Sequence, residues 1–323
     1  MSYENQGEEN CSRQVEVPAT SANLGCAFDC GGLALKLTLK AIYSPSRSSS
    51  GLTMEYRGRD PERIPLDDSN LVLSSFRYAC SHLGKTAPQG HIQVESDIPV
   101  GVGLGSSAAA AIAGLVLGSR FCSEQVSAEQ ILGWAENIEG HIDNAAAAYH
   151  GGLVFALCNN TDHIVTLKTD FPEHIRLVVV SPSVTVPTHE ARRVLPKSYE
   201  RADVLHTLQR TALLAATCFS GKFDLFPELF DDRLHQPYRR QLVPGIEEAL
   251  QFRHEGLLGI AISGSGSSVI AMAVAHEAHI AECLQKIFAA KEIETEALIT
   301  SADNRGTLVT CLEATTNALG ERK

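Results

Sequence analysis

The segment Pro99-Val100-Gly101-Val102-Gly103-Leu104-Gly105-Ser106-Ser107 runs directly into four alanines, Ala108 to Ala111. Glycine at every second position frees the backbone for positive φ, which other residues resist. The apolar stretch before it, Ile92 to Ile98, predicts a strand, and the alanines after it predict a helix. A glycine loop ending on a helix N-terminus aims free N–H groups, and the positive end of the helix dipole, at one spot. Such a spot suits a phosphate. Ser106 and Ser107 add hydroxyls suited to a phosphate oxygen or a Mg2+ ion. No Gly-Lys-Ser/Thr ending is present, and the spacing is not that of a dinucleotide fingerprint. A lone Gly-x-Gly reads as a plain turn before a buried helix; the run Gly-Leu-Gly-Ser-Ser favours phosphate binding.

The chain has 323 residues, enough for two domains and a substantial core. Its 44% hydrophobic and 20% charged residues describe a globular protein. A formal net charge of −11 argues against nucleic-acid binding, whose footprint is a basic patch. Anionic substrates remain open, because a few arginines and helix N-termini can hold them. No apolar run approaches the roughly 18 residues of a membrane helix. Met1 to Asn10 is polar and acidic, without the basic start and apolar centre of an export signal, and is expected to be a loose tail. Nine scattered cysteines, with no Cys-x-x-Cys pair, are expected as reduced thiols in the cytoplasm. The histidines have no zinc-site spacing.

Along the chain, a short strand at Val15 to Val17 is expected to enter an irregular segment, Pro18 to Gly25, followed by a strand from Leu33 to Tyr43. A turn at Ser46 to Ser50 and a strand from Leu52 to Tyr56 come next. Asp68-Ser69 is expected to cap a helix from Asn70 to Leu83, and Ser127 another through Glu139. Gly151-Gly152 precedes a strand at Leu153 to Cys158. The pattern breaks around Thr169 to Glu173, which sets the expected division into domains at 13–168 and 174–318. Beyond it come a strand at Leu177 to Val180 and helices at 201–219 and 244–252. Strands at 257–262 and 268–273, a helix at 278–290 and a last strand at 295–300 complete the pattern. Strands and helices mixed in this way, with hairpin returns, indicate α+β.

Three further segments join the glycine loop: Pro-Ala-Thr-Ser-Ala-Asn-Leu-Gly-Cys-Ala-Phe-Asp (Pro18 to Asp29), Glu139-Gly140-His141-Ile142-Asp143-Asn144, and Ser263-Gly264-Ser265-Gly266. Together they resemble the three signatures of the GHMP small-molecule kinases, and the first looks like the homoserine kinase branch. The similarity runs from about Val15 to the last strand. It implies a two-domain α+β fold: an N-terminal domain of the ribosomal protein S5 domain 2 type, then a ferredoxin-like domain, with the active site between them. It also implies transfer of the γ-phosphoryl group of ATP to the side-chain hydroxyl of L-homoserine, for threonine synthesis, and a homodimer.

By that resemblance, Pro99, Gly101, Val102, Gly103, Leu104, Gly105, Ser106 and Ser107 bind ATP, and Ser107 and Glu139 hold Mg2+. A carboxylate, a hydroxyl, waters and phosphate oxygens suit that ion. Arg192 and Arg239 resemble the family's two carboxylate-binding arginines, a task that suits a planar guanidinium; Arg193 and Arg240 adjoin them. Thr188, His141, Asp143 and Gly264 complete the substrate pocket, with Asp143 facing the ammonium group. Asn23 and Asp29 contact the attacking hydroxyl. Several relatives carry an aspartate base where this chain has Asn144, and an amide cannot take the proton. Asp29 is therefore expected to orient the hydroxyl, with no dedicated base.

Cys26-Ala27, Cys30-Gly31 and Ser267 depart from the branch pattern, as small-for-small changes in loops. Two other readings are a kinase of mevalonate-like alcohols and a nucleotide-binding sensor without catalysis. The Ser-Ala-Asn-Leu-Gly segment and the arginine pair oppose the first. The presence of Glu139, Asp29, Arg192 and Arg239 opposes the second.

Overall fold

The computed structural model describes residues 12–46, 51–122, 126–159 and 163–312. The expected turn at Ser46 to Ser50 falls mostly outside them. The first unit runs β1 (Ser12–Asn23), β2 (Ala27–Pro45), β3 (Leu52–Gly58), α1 (Leu71–His82), β4 (Gly90–Ser96), α2 (Ser106–Phe121), α3 (Ala128–Glu139), α4 (Asp143–His150), β5 (Leu153–Cys158) and β6 (Ile164–Thr169). The second runs β7 (Arg176–Pro182), α5 (Thr188–Arg193), α6 (Arg201–Ser220), α7 (Gln236–Arg239), α8 (Ile246–Gln251), β8 (Leu257–Ile262), β9 (Val269–Ala273), α9 (Glu277–Ala289) and β10 (Thr295–Thr300). A final strand, β11 (Leu308–Leu312), follows.

The first sheet has the order β11-β1-β2-β4-β3, with β5 pairing both β2 and β6. Among the described strands of this sheet, only β3 and β4 pair in parallel. β1 does not become irregular at Pro18 as expected. A register shift between Pro18 and Ala19 absorbs the proline, and pairing with β2 continues to Asn23, since a bulge is one place where a sheet tolerates proline. β2 changes partners along its length, meeting β5 at Gly31–Leu33 and β4 at Leu39–Pro45. Gly32 lets the start of α4 lie on β2, because a Cβ there would run into the Asp143 carbonyl.

Helix α2 is buried along most of its length. Its small residues are what allow this: a Cβ on Gly118 would meet the Phe76 carbonyl of α1 at 2.5 Å. The caps follow local chemistry. Ser127 accepts from Gln130 N at 3.1 Å, as expected. For α1 the cap is Asn70, accepting from Val72 N at 2.9 Å, rather than Asp68-Ser69. Helix α4 and strand β6 have no counterpart among the sequence expectations.

The second sheet has the order β10-β7-β9-β8, antiparallel throughout. The helical crossover from β7 lands one strand away at β8, β9 fills the gap, and α9 returns the chain to the far edge. This interleaving is the expected ferredoxin-like arrangement. After β10, Ala302 bridges to Leu35 and β11 pairs with β1, from Ser12 opposite Leu312 to Glu16 opposite Leu308. Residues 302–312 thus rejoin the first sheet, first against β2 and then, as β11, along the outer edge of β1, although the expected 174–318 segment counts them with the second unit. The return pairs the edge of β1 and makes the short strand β11 the sheet's edge instead, and short edge strands are one way proteins limit the liability of an open edge.

One core packs the first sheet against α1, α2 and α4 and runs on into the second unit through Leu177, Val179, Leu214, Ile270 and Met272, and a second lies under α8 and α9. Among the described residues, no helix is long and apolar enough to cross a membrane. Among the described residues, Cys26, Cys30, Cys80, Cys122, Cys158, Cys218 and Cys283 form no disulfide, whereas Cys311 on the edge strand β11 is disulfide-bonded, against the expectation of reduced thiols.

Candidate active site

Gly101, Gly103 and Gly105 all have positive φ, at 76°, 85° and 68°, and Gly105 caps α2. The loop is wedged between the two units. Thr20 N donates to Leu104 O at 3.1 Å, and Ser268 N donates to Val102 O at 3.1 Å. Ser263 Oγ donates to Gly103 O at 2.7 Å. A Cβ on Gly103 would collide with Ser263 O, and one on Gly105 with Thr20 Oγ1. Glycine here satisfies both the conformation and the close approach.

Opposite the loop lies the segment joining β1 and β2. Asn23 Nδ2 donates to Gly264 O at 2.7 Å, and Asp29 N donates to Asn23 Oδ1 at 3.0 Å. Arg192 NH1 and NH2 each donate to the Asp29 carboxylate at 3.0 Å. Arg239 is almost wholly buried; its NH1 donates to Gly264 O at 3.0 Å and its Nε to Ala191 O at 3.3 Å. Burial pulls its pKa down, with Asp29 the largest opposing influence. The adjacent arginines lie outside this cluster: Arg240 pairs with Glu247 at 3.2 Å, and Arg193 is exposed.

At the far wall, Glu139 ends α3 and accepts from Ser107 Oγ at 2.7 Å. Asp143 is buried at the start of α4, where its Oδ1 accepts from Asn144 N at 2.7 Å. His141 Nδ1 lies 3.3 Å from the same oxygen, an ionic contact without hydrogen-bond alignment. The Asp143 carboxylate raises the His141 pKa above its ordinary value, against the pull of burial. Asn144 Oδ1 accepts from Thr20 Oγ1 at 2.8 Å.

These groups line one cavity of about 420 Å³. It gathers Asn23, Asp29, Gly101, Gly103, Leu104, Gly105, Ser106, Ser107, Glu139, His141, Asp143, Asn144, Thr188, Arg192, Arg239 and Gly264. Two residues expected to bind ATP lie elsewhere: Pro99 and Val102 line a separate cavity of about 340 Å³ behind the loop. A third cavity, of about 440 Å³ between α7, α8 and β8, holds none of the expected site residues.

His189 and Ser265 also line the main cavity and were not singled out from sequence. Both sit inside segments that were, so proximity in sequence was the available signal. Ser107 and Glu139 bring a hydroxyl and a carboxylate together. Such hard oxygen donors fit Mg2+ when phosphate oxygens and waters complete the shell. Among the described residues no group of three or more histidine, cysteine or acidic side chains is arranged to hold a metal alone.

The family descriptions "GHMP kinases N terminal domain" and "GHMP kinases C terminal" match residues 70–152 and 212–291. The chain is 36% identical over 292 residues to a homoserine kinase of Solibacter usitatus, covering 90% of this chain and 95% of that one. It is 38% identical over 258 residues to a homoserine kinase of Deinococcus radiodurans, covering 79% and 82%. The crystal structure of homoserine kinase from Cytophaga hutchinsonii matches with a TM-score of 0.80 at 26% identity, covering 96% of this chain and all of that one.

Proposed function

This chain belongs to the GHMP kinases, among the homoserine kinases, and from that premise we propose that it transfers the γ-phosphoryl group of ATP to the side-chain hydroxyl of L-homoserine. The product is O-phospho-L-homoserine, for threonine synthesis. The observation that carries this reading is the single cavity, where a glycine loop faces two arginines and two groups suited to a hydroxyl.

Phosphoryl transfer asks mainly for positioning and charge neutralisation. Backbone N–H groups of the loop from Gly101 to Ser107 and the N-terminus of α2 hold the triphosphate. Ser107 and Glu139 would hold Mg2+, which when bound neutralises charge on the β- and γ-phosphates. Arg192 and Arg239 receive the substrate carboxylate, and Asp143, backed by His141, receives the ammonium. Thr188 and Gly264 close the pocket around the amino-acid head. Asn23 and Asp29 orient the hydroxyl. Asn144, already accepting from Thr20, takes no proton. The proton therefore leaves late, with Asp29 aligning the nucleophile rather than deprotonating it.

The test is ADP release with ATP and Mg2+, comparing L-homoserine, mevalonate, galactose and no acceptor. Turnover that requires homoserine is expected. Preference for mevalonate, or nucleotide binding without turnover, would overturn the reading. We further propose a cytoplasmic protein of two domains divided near 169–173, with no nucleic-acid partner, that forms a homodimer. The exposed Leu157, Val165 and Leu167 on the β5–β6 hairpin support self-association; a monomeric mass in solution would refute it.

A further inference from the structure

The segment bearing Asn23 and Asp29 is strained. Asn23, Leu24 and Asp29 have φ of 71°, 40° and 56°. Non-glycine residues keep such backbone only where the surroundings impose it. The second unit supplies those surroundings. His235 Nε2 donates to Gly25 O at 2.7 Å. Thr211 Oγ1 donates to Cys26 O at 2.5 Å. A Cβ on Gly25 would meet Phe230 O at 2.7 Å, so the two backbones touch. The fully buried His235 ring stacks on Phe28 at 5.0 Å and 20°, and the Arg239 guanidinium covers the same Phe28 ring at 5.2 Å.

The other imidazole nitrogen, Nδ1, lies 3.4 Å from Arg239 NH1. A carbonyl only accepts and a guanidinium only donates. The two partners together therefore select the neutral tautomer with its hydrogen on Nε2. Asp232 Oδ2 lies 3.5 Å from Nε2, but this carboxylate already accepts from the N–H groups of Leu234, His235 and Gln236. Burial lowers the His235 pKa, which keeps the ring neutral beside Arg239.

We infer that His235 is a positioning residue for phosphoryl transfer, tying the segment that carries Asn23 and Asp29 to the carboxylate-binding Arg239. The inference rests on the proposed homoserine kinase reaction. Homoserine carries its carboxylate and its hydroxyl at opposite ends of one short chain. The groups that recognise the two ends must therefore keep a fixed separation, and one imidazole touches both supports. It acts through Gly25, Phe28 and Arg239.

Two substitutions separate its bonds. In His235→Gln the amide nitrogen reaches about as far as Nε2 and keeps the bond to Gly25. In His235→Asn the shorter amide sits near the Nδ1 position and keeps only a partner for Arg239. We expect kcat to fall on the order of a hundredfold in His235→Asn, the scale of a misplaced reactant. ATP KM should stay within about twofold, and His235→Gln should recover most of the rate. Equal losses in both variants, or an unchanged kcat in His235→Asn, would overturn the inference. The histidine 15N spectrum reads the tautomer without turnover: hydrogen on Nε2 and a bare Nδ1 are expected, and a protonated Nδ1 overturns the inference. Wild-type protein that shows this tautomer but turns over no homoserine overturns the proposed function instead.

Discussion

Arg192 grips Asp29 with both terminal nitrogens, at 3.0 Å each, joining α5 of the second unit to β2 of the first. The same guanidinium is proposed to receive the substrate carboxylate, so two carboxylates compete for one planar fork. Each partner is more than a third exposed. Solvent-screened pairs of this kind contribute about 0–1 kcal/mol, so exchanging Asp29 for a substrate costs little. Arg192→Lys keeps the charge and loses the fork. Homoserine KM should rise by about ten- to a hundredfold with kcat less affected, as steady-state kinetics would show.

Asp29→Asn separates orientation from proton abstraction. If Asp29 only aligns the hydroxyl, kcat should fall by about ten- to a hundredfold while calorimetric homoserine affinity holds. A loss approaching 10⁴-fold with binding intact would mark a general base.

Glu139→Gln retains the shape at the end of α3 and its contact with Ser107 while removing the charge. The Mg2+ concentration for half-maximal rate should rise about tenfold or more, with Ser107→Ala shifting it less. An unchanged Mg2+ titration in Glu139→Gln would remove that residue from the proposed metal site.

Gly103→Ala places a Cβ against Ser263 O and 2.8 Å from Gly266 O, at a φ of 85°. Strain and overlap together should destabilise the protein by about 2 kcal/mol or more. Urea unfolding measures this, and ATP affinity should fall with it.

His141 gives a pH test. Asp143 raises its pKa in the folded protein. The stabilisation from this pair is therefore fully present below the unfolded value of about 6.5 and is lost as pH rises through the raised folded value. Wild-type protein and Asp143→Asn should differ most in unfolding free energy on the acidic side, and the gap should narrow as pH rises through that window. NMR titration of the His141 ring should also show its pKa fall in Asp143→Asn.

Features with local causes were legible in the chain itself. The glycine loop, the buried alanine helix α2 and the Ser127 cap follow from backbone preferences acting over a few residues, and the quoted motifs named most of the cavity lining. Between neighbouring arginines, the resemblance named Arg192 and Arg239 while Arg193 and Arg240 adjoined them. The short helices α5 and α7 turn Arg192 and Arg239 into the cavity and leave Arg193 and Arg240 outside it. Pairing between distant segments settled the rest. β1 extends through Asn23 because β2 supplies a partner, and β11 forms a strand by pairing with β1. The hydrogen on His235 is set by Gly25, 210 residues earlier, and by Arg239. Sequence by itself determined which segments bend, cap and bind phosphate, because those preferences are local. Tertiary structure alone decided which side chains meet and in which protonation state, because hydrogen-bond partners and burial exist only once distant segments pack together.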